Sequence, residues 1–295
     1  MRVLAIVNRV GGARRQDRAA VVGEALAAAG VTADVRLCAP EEIDAAFAEA
    51  AAASGLDAVV AGGGNGTVSA AAAALAGTGR PLGLLPLGTL NHLARDAGIP
   101  ATLEAAAAII AAGHVRCIDV GEVNGRVFVN NSAVGLYPEM VRFRDEQEMH
   151  GSRRRLAMLR ASLRALRSFR RRRLWISAPG LEAPIRTPLL FVGNNRYSAS
   201  LFALGRRESL DAGELCLYAV RARSRVHLFA AGLRGLIGRL GQQRDFVTAY
   251  VAELTISTER PALTLSLDGE TLTLPTPLCY RIRPKALRLI VPAER

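Results

Sequence analysis

Lysine is almost absent from this chain of 295 residues: Lys285 is the only one, and arginine supplies the rest of its 38 basic side chains. A Walker-type phosphate loop needs a lysine directly after its glycines, so that loop is excluded. Long apolar runs are also missing, since none reaches the roughly 18 to 20 residues that a membrane-spanning helix needs. Met1 leads straight into a strand without a signal-peptide pattern. We therefore expect a soluble, cytoplasmic protein.

Cysteines and aromatic residues are few. The four cysteines lie far apart and show no metal-ligand spacing, and we expect them to be buried thiols in a reducing compartment rather than zinc ligands or disulfides; they are Cys38, Cys117, Cys216 and Cys279. The net charge of +12 implies an acidic partner, which could be nucleic acid, an anionic membrane surface or a phosphorylated ligand. With 5% aromatic residues and none interleaved with the basic ones to stack on bases, no nucleic-acid partner is expected.

The most informative stretch is 58–68, where a β-branched run ends in glycines and leads into an Ala-rich helix-forming run. Glycines let the backbone approach a ligand closely, and the unpaired N–H groups that begin a helix favour an anion. A plain structural turn has the same composition. However, the strand Leu82 to Pro86 ends in a second glycine turn, Gly88 to Asn91, and two such turns could hold one polyphosphate.

Strands and helices alternate up to Ala112, which predicts an N-terminal, doubly wound α/β domain with its ligand loops at the carboxyl ends of the strands. From Val115 the pattern changes to short strands separated by turn residues, which predicts a β-rich, sandwich-like domain. We place the boundary near Gly121, giving domains 1–120 and 121–295, and the last residues can return to the first domain.

Two helical segments are predicted within the second domain. From Arg153 to Arg173 leucines recur at spacings of three and four beside an arginine-rich face, which suits attachment to an anionic bilayer but equally a solvated surface helix. The second segment, Val226 to Leu240, is less basic and is expected to pack against the domain.

Motifs spread over nearly the whole chain resemble those of the diacylglycerol kinase catalytic-domain family, and they occur in that family's order. They are Val7-Asn8 with Gly11-Gly12, Gly63-Gly64-Asn65-Gly66-Thr67, Pro86-Leu87-Gly88-Thr89-Leu90-Asn91, Ile118-Asp119-Val120-Gly121, Phe128-Val129-Asn130-Asn131, Leu267-Asp268-Gly269-Glu270 and Ala286-Leu287-Arg288. The family includes bacterial diacylglycerol kinases and lipid kinases related to sphingosine kinase. The resemblance implies an ATP-dependent kinase that phosphorylates a lipid hydroxyl such as that of diacylglycerol, with Mg²⁺.

The resemblance also implies roles for particular residues. Glu270 matches the family's catalytic base, and Asp119 would hold Mg²⁺ through water or orient the acceptor hydroxyl, with a structural cap as the alternative. Asp268 is expected to form the turn. The implied nucleotide-binding residues are Asn8, Gly62, Gly63, Gly64, Asn65, Gly66, Thr67, Gly88, Thr89 and Asn91. The implied partner is a lipid substrate at the inner, anionic membrane surface, to which the protein would bind peripherally; a homodimer is compatible with this.

Two departures from the family's pattern leave alternatives open. Asn65 stands where the family usually has aspartate, and an amide carries no charge and cannot act as a base. Ala212 replaces another acidic residue, which puts a structural metal site in doubt. The alternatives are a kinase for a soluble acceptor, related to NAD kinases, and a catalytically silent regulator that binds nucleotide or lipid.

Overall fold

The computed structural model describes residues 1–9, 17–135, 172–197, 207–220 and 246–293. The chain divides into two compact units, one formed by Met1–Val120 with Arg283–Arg295 and the other by Gly121–Ile282. Within the described ranges, no helix is both long enough and apolar enough to cross a membrane.

The first unit alternates strands and helices. In chain order its elements are β1 (Arg2–Asn8), α1 (Asp17–Ala28), β2 (Thr32–Cys38), a short 3-10 helix (Pro40–Glu42), α2 (Ile43–Ala52), β3 (Ala58–Gly63), α3 (Asn65–Leu75), β4 (Leu82–Pro86), α4 (His92–Asp96), α5 (Leu103–Ala112) and β5 (Val115–Val123), whose last residues belong to the second unit.

The sheet of the first unit is parallel, in the order β2-β1-β3-β4, and Leu289 near the chain's end adds a further parallel strand beside Leu82 of β4. All six residues of β3 are buried, as expected for a parallel strand covered on both faces. Helices α1 and α5 contact each other, and so do α2 and α3. The result is a doubly wound α/β layer.

The second unit consists of strands in the described ranges. Its further elements are β6 (Arg126–Phe128), β7 (Asn131–Gly135), β8 (Arg172–Ala178), β9 (Leu181–Thr187), β10 (Leu189–Asn194), β11 (Leu215–Val220), β12 (Phe246–Val251), β13 (Glu253–Ser257), β14 (Ala262–Leu267), β15 (Glu270–Pro275) and β16 (Leu278–Ile290), which ends in the first unit.

These strands form two antiparallel layers around one core. One layer has the order β16-β13-β8-β9, and the other has the order β12-β11-β10-β7-β14-β15. Leu174, Ile256 and Tyr280 from the first layer are buried in one cluster with Leu190 and Leu265 from the second. The prediction of a doubly wound domain followed by a β-rich, sandwich-like domain is therefore confirmed.

Several sequence-based boundaries need correction. Strands β7, β8, β9, β12 and β13 were not predicted. The predicted helix from Arg153 to Arg173 lies outside the described residues except for its end, where Arg172 and Arg173 begin β8, so the helix prediction is wrong for those two residues. The predicted helix from Val226 to Leu240 lies outside the described residues altogether.

The cysteine prediction is half right. Cys38 and Cys216 are buried, and burial raises the pKa of the Cys216 thiol to about 12, so this thiol stays protonated near neutral pH. Cys117 and Cys279 are exposed, because each occupies an outward position in the alternation of its strand. The expectation that all four thiols are buried is therefore wrong for these two.

Candidate functional site

The first unit's candidate ligand site lies where its strand order reverses. Strand β1 has β2 on one side and β3 on the other, so the carboxyl ends of β1 and β3 border a crevice of the kind in which open α/β sheets bind ligands. Val7 pairs with Gly62 in this register. Just beyond it, the Asn8 Nδ2 group donates to Thr67 Oγ1 at 3.3 Å. The topology thus brings Asn8 to the glycine-rich loop, as the sequence predicts.

Two of the predicted loop glycines are required by packing inside the protein. A Cβ at Gly63 would lie 2.3 Å from Thr67 Oγ1, and a Cβ at Gly62 would lie 2.9 Å from Val7 Cγ2. Gly64 differs, because the nearest atom to a Cβ there would be Gly88 Cα at 3.7 Å, an ordinary contact distance. Gly64 has an extended backbone and directly precedes the first residue of α3.

The second loop packs directly against the first. A Cβ at Gly88 would lie 2.4 Å from Gly64 Cα, so the two backbones can approach this closely only because both residues are glycine. Asn91 fixes the second loop: its Oδ1 accepts from Gly88 N at 3.1 Å, and its Nδ2 donates to Pro86 O at 3.0 Å and Gly88 O at 2.8 Å. Asn91 has φ of 44°, a left-handed conformation that asparagine tolerates. Thr89 is exposed at the tip.

Asn65 connects the two loops. It is the first residue of α3, and its Oδ1 accepts a hydrogen bond from the backbone N–H of His92 at 3.1 Å. His92 is in turn the first residue of α4, so the amide satisfies one of the N–H groups that a helix leaves unpaired at its start. An amide oxygen is sufficient for this bond, which accounts physically for asparagine at position 65.

The contrast between Gly63 and Gly64 leads to a prediction. Gly64→Ala should change the free energy of unfolding by less than about 1 kcal/mol, because its Cβ meets only an ordinary contact. If a nucleotide phosphate binds against the backbone of Gly64, the same Cβ should lower ATP affinity at least about tenfold. Urea unfolding and titration calorimetry measure the two effects.

Gly63→Ala is the matched control for Gly64→Ala. Its Cβ would overlap the Thr67 side chain, so we expect it to lower stability by about 1 to 3 kcal/mol whether or not nucleotide binds. Unchanged ATP affinity in a folded Gly64→Ala variant would contradict phosphate binding at this loop.

Asp119 is buried within the first unit, at 1% exposure. Its Oδ1 accepts from the backbone N–H of Lys285 at 2.8 Å, and Lys285 has φ of 53° in the middle of β16. The carboxylate therefore anchors an unusual backbone conformation in the last strand. This contact favours the structural alternative for Asp119, and its predicted catalytic role stays a prediction.

Glu270 lies in the second unit, as the first residue of β15. The two residues before it, Asp268 and Gly269, have φ of 50° and 95° and form the two-residue turn between β14 and β15. Two positive φ angles are typical of the type I′ hairpin turn, for which Asp-Gly is a preferred pair. Glu270 pairs with Leu267 across this hairpin, and its side chain is exposed.

Asp268 has a second role that the sequence reading missed. Its carboxylate is buried, and it accepts three backbone hydrogen bonds, from Val129 N at 2.8 Å, Asn130 N at 2.7 Å and Asn131 N at 3.0 Å. The turn that precedes Glu270 is thus fixed to the segment between β6 and β7. Asp268 and Asn130 are 138 residues apart in the sequence. Nothing in the local sequence around either residue predicts this contact.

A buried polar cluster extends from this anchor. Arg207 is 7% exposed, and it donates to Val129 O at 2.5 Å. Asn194 Nδ2 also donates to Val129 O, at 3.0 Å, and Tyr197 Oη donates to Asn130 O at 3.0 Å. These three side chains donate to the carbonyl groups of Val129 and Asn130, whose N–H groups donate to Asp268. Several elements of the second unit therefore determine the position of the Glu270 hairpin.

The described residues do not provide a dedicated magnesium cage. In these ranges no three His, Cys, Asp or Glu side chains come together as metal ligands. Around Ala212, the turn is held by Ser209 Oγ, which donates to Asp211 Oδ1 at 2.5 Å and accepts from Asp211 N at 3.1 Å. Protein-bound Mg²⁺ usually keeps several waters and takes one or two carboxylates together with substrate phosphates.

Comparison with known proteins identifies the group to which this α/β and β-sandwich protein belongs. Residues 2–123 match the family model described as "Diacylglycerol kinase catalytic domain". A protein of Pseudomonas fluorescens named "Probable lipid kinase YegS-like" is 33% identical over 280 residues, which cover 94% of this chain and 91% of that protein. One of the same name from Pseudomonas aeruginosa is 34% identical over 248 residues, covering 83% and 80%. The chain belongs to the diacylglycerol kinase catalytic-domain family.

The fold agrees with solved structures. A crystal structure of a diacylglycerol kinase from Bacillus anthracis superposes with a TM-score of 0.70 at 21% identity, covering 99% of this chain and 97% of that one. The family model and the two Pseudomonas relatives confirm the predicted family resemblance. Of its motifs, Gly11-Gly12 lie outside the described residues.

Proposed function

We propose that this protein is an ATP-dependent lipid kinase that transfers the γ-phosphoryl group of ATP to a lipid hydroxyl, such as that of diacylglycerol. The observation that carries the proposal is the pair of interlocked glycine loops at the strand-order reversal, with Gly64 against Gly88 and Asn65 bonded to His92. Backbone N–H groups at the start of α3 can bind phosphate oxygens, and glycine at position 64 places no side chain in front of them.

In the proposed reaction, Glu270 accepts the proton of the acceptor hydroxyl as its oxygen attacks the γ-phosphorus. The bond from that phosphorus to the bridging oxygen of ADP breaks, so ADP leaves and the lipid carries the phosphate. Mg²⁺, bound with the nucleotide phosphates, would neutralise part of their charge.

The direct test incubates purified protein with labelled ATP and Mg²⁺ against diacylglycerol, monoacylglycerol, ceramide and sphingosine. We expect a labelled phospholipid from at least one acceptor. Transfer to NAD or another soluble alcohol, with none to these lipids, would instead support a kinase for a soluble acceptor. Nucleotide binding without any transfer would indicate a silent regulator.

The Asn65→Asp variant distinguishes a chain that has lost kinase activity from one that is active. Aspartate keeps the oxygen that accepts from His92 N and places a negative charge at the start of two helices, so we expect the variant to fold with at least the stability of the parent. In an active kinase that needs only this bond, turnover and Mg²⁺ dependence should stay the same. Activity that appears only in Asn65→Asp would show that the natural chain has lost catalysis.

We further propose that the protein acts at an anionic membrane surface. The support is the arginine-rich segment from Arg153 to Arg173 with its leucine stripe, together with the net charge of +12. Binding to vesicles containing anionic lipid should fall when Arg160, Arg164 and Arg167 are changed to Gln. It should also fall with added salt, because charges are screened within about 10 Å at about 0.1 M. Equal sedimentation with neutral and anionic vesicles would contradict this.

A further inference from the structure

Arg18, in the first turn of α1, makes a contact at the candidate nucleotide site that was not predicted from the sequence. Its side chain is half-buried, and its Nη1 group donates to Asn8 O at 3.0 Å. Asn8 is the last residue of β1, and its own side chain donates to Thr67 in the first turn of α3. Asn8 is therefore bonded to a cation through its backbone and to the glycine-loop helix through its side chain.

The sheet pattern shows on which side of β1 the guanidinium lies. In a parallel sheet, the backbone groups of successive residues in a strand bond to opposite neighbours. Arg9 N donates to Cys38 O at 2.9 Å, so residue 9 faces β2. Asn8 O consequently faces β3, and Arg18 donates to it just past the last paired residues of β1 and β3. The donating end of Arg18 thus lies at the crevice between these two strands, on the side of the glycine-rich loop.

The position of Arg18 within its helix does not serve the stability of that helix. Arg18 is the second of the 12 residues of α1, whose last turn contains no basic residue. The start of a helix carries the positive end of its dipole, so a cation is unfavourable there and favourable in the last turn. An anion bound beside Arg18 would offset this repulsion.

A guanidinium can bind such an anion while it keeps its bond to Asn8. It carries five N–H groups in a planar fork that matches phosphate oxygens, and one of them is sufficient for the carbonyl of Asn8. Backbone N–H groups of a glycine loop carry no net charge, whereas the polyphosphate of ATP is strongly negative. The only lysine of the chain, Lys285, lies in β16 and not in a glycine loop.

We propose that Arg18 binds the polyphosphate of the nucleotide, from the β1 side of the crevice. This rests on the proposed function, which makes ATP the phosphoryl donor. Charge-assisted hydrogen bonds from Arg18 reach phosphate oxygens, and the glycine-rich loop binds the same polyphosphate through its backbone. Asn8 then has two roles, since its carbonyl orients Arg18 and its amide contacts Thr67.

Arg18→Gln tests the proposal with two ligands. Its affinity for ATP should be at least about tenfold lower than that of the parent, because a hydrogen bond to a charged group is lost. Adenosine has no phosphate, so its affinity should stay the same. Titration calorimetry, with adenosine measured by displacement of ATP, gives both values. An equal loss of affinity for ATP and adenosine would mean that Arg18 only holds the end of β1 in place, and it would overturn the proposal.

Arg288→Gln is the matched control. Arg288 Nη1 donates to Gly79 O at 2.9 Å within the same unit, so this variant removes the same charge and the same kind of bond. Gly79 precedes β4, which places the contact at the amino end of that strand, away from the glycine loops. The ATP affinity of Arg288→Gln should equal that of the parent. An Arg18→Gln variant that binds ATP as tightly as Arg288→Gln would overturn the proposal.

Different measurements decide the role of Arg18 and the kinase activity. If the parent phosphorylates no lipid but ATP binding depends on Arg18, the kinase activity is overturned and the role of Arg18 is supported. If the parent phosphorylates a lipid and Arg18→Gln binds ATP as the parent does, only the role of Arg18 is overturned. A parent that binds no ATP would overturn both.

Discussion

Glu270→Gln should lower kcat for lipid phosphorylation by about 10² to 10⁴, the usual contribution of a positioned general base. Glutamine keeps the size of the side chain but cannot take the proton of the acceptor hydroxyl. The side chain is exposed, so stability should change by no more than about 0.5 kcal/mol. ATP affinity measured by calorimetry should stay the same. Steady-state kinetics with saturating dioctanoylglycerol gives kcat directly.

Glu259→Gln is a suitable control for Glu270→Gln. Glu259 is also in the second unit, its side chain is 76% exposed, and its ion pair with Arg173 is long, at 4.0 Å. Losing that charge should leave kcat and stability unaltered. If Glu270→Gln kept full activity, the assignment of the base would be wrong, and Asp119→Asn would be the next variant to assay.

Asp268→Asn should have the largest effect on stability, with a loss of about 2 to 4 kcal/mol in the free energy of unfolding. The carboxylate accepts from Asn130 and Asn131 through Oδ1 and from Val129 through Oδ2. An asparagine oxygen can replace only one of these two atoms, and its NH₂ group would then face a backbone N–H. At least one buried donor is left without an acceptor. Urea unfolding, followed by circular dichroism, measures the loss.

The control for this variant is Asp34→Asn, which makes the same chemical change at an exposed position in β2 and should be neutral. Asp268→Asn should also reduce kcat, because the turn that places Glu270 loses part of its anchor. A stability equal to that of the parent would show that the three hydrogen bonds do not fix this hairpin.

The first unit and its loops could be predicted from sequence because their causes are local. An apolar run followed by glycines marks the end of a buried parallel strand, and β4 was predicted to the residue as Leu82–Pro86. The second unit was harder. Strand β9 contains Pro184, which argues against a strand, but β9 is at the edge of its sheet, where a missing N–H costs little. In β16, Pro284 likewise argues against a strand, and it concealed one strand of 13 residues.

The candidate site also combines features that follow from local sequence rules with features that depend on distant segments. The positions of Asn8 and the two glycine loops follow from rules for parallel sheets, and the Asp-Gly turn before Glu270 follows from local turn preference. The hydrogen bond from His92 to Asn65 and the three bonds to Asp268 depend on the register between segments that are distant in the sequence. No local pattern encodes such a register, so these features required the structure.

The return of β16 to the first unit limits how early that unit can fold during synthesis. Gly77 donates to Ala286 O, and Arg288 donates to Gly79 O across 209 residues. The parallel sheet that carries both glycine loops is therefore incomplete until Leu289 has left the ribosome. Until then the apolar edge at Leu82 lacks its final neighbour and is open to wrong pairing with other chains. Loss of the last strand would thus affect the sheet that carries the two glycine loops, far earlier in the sequence.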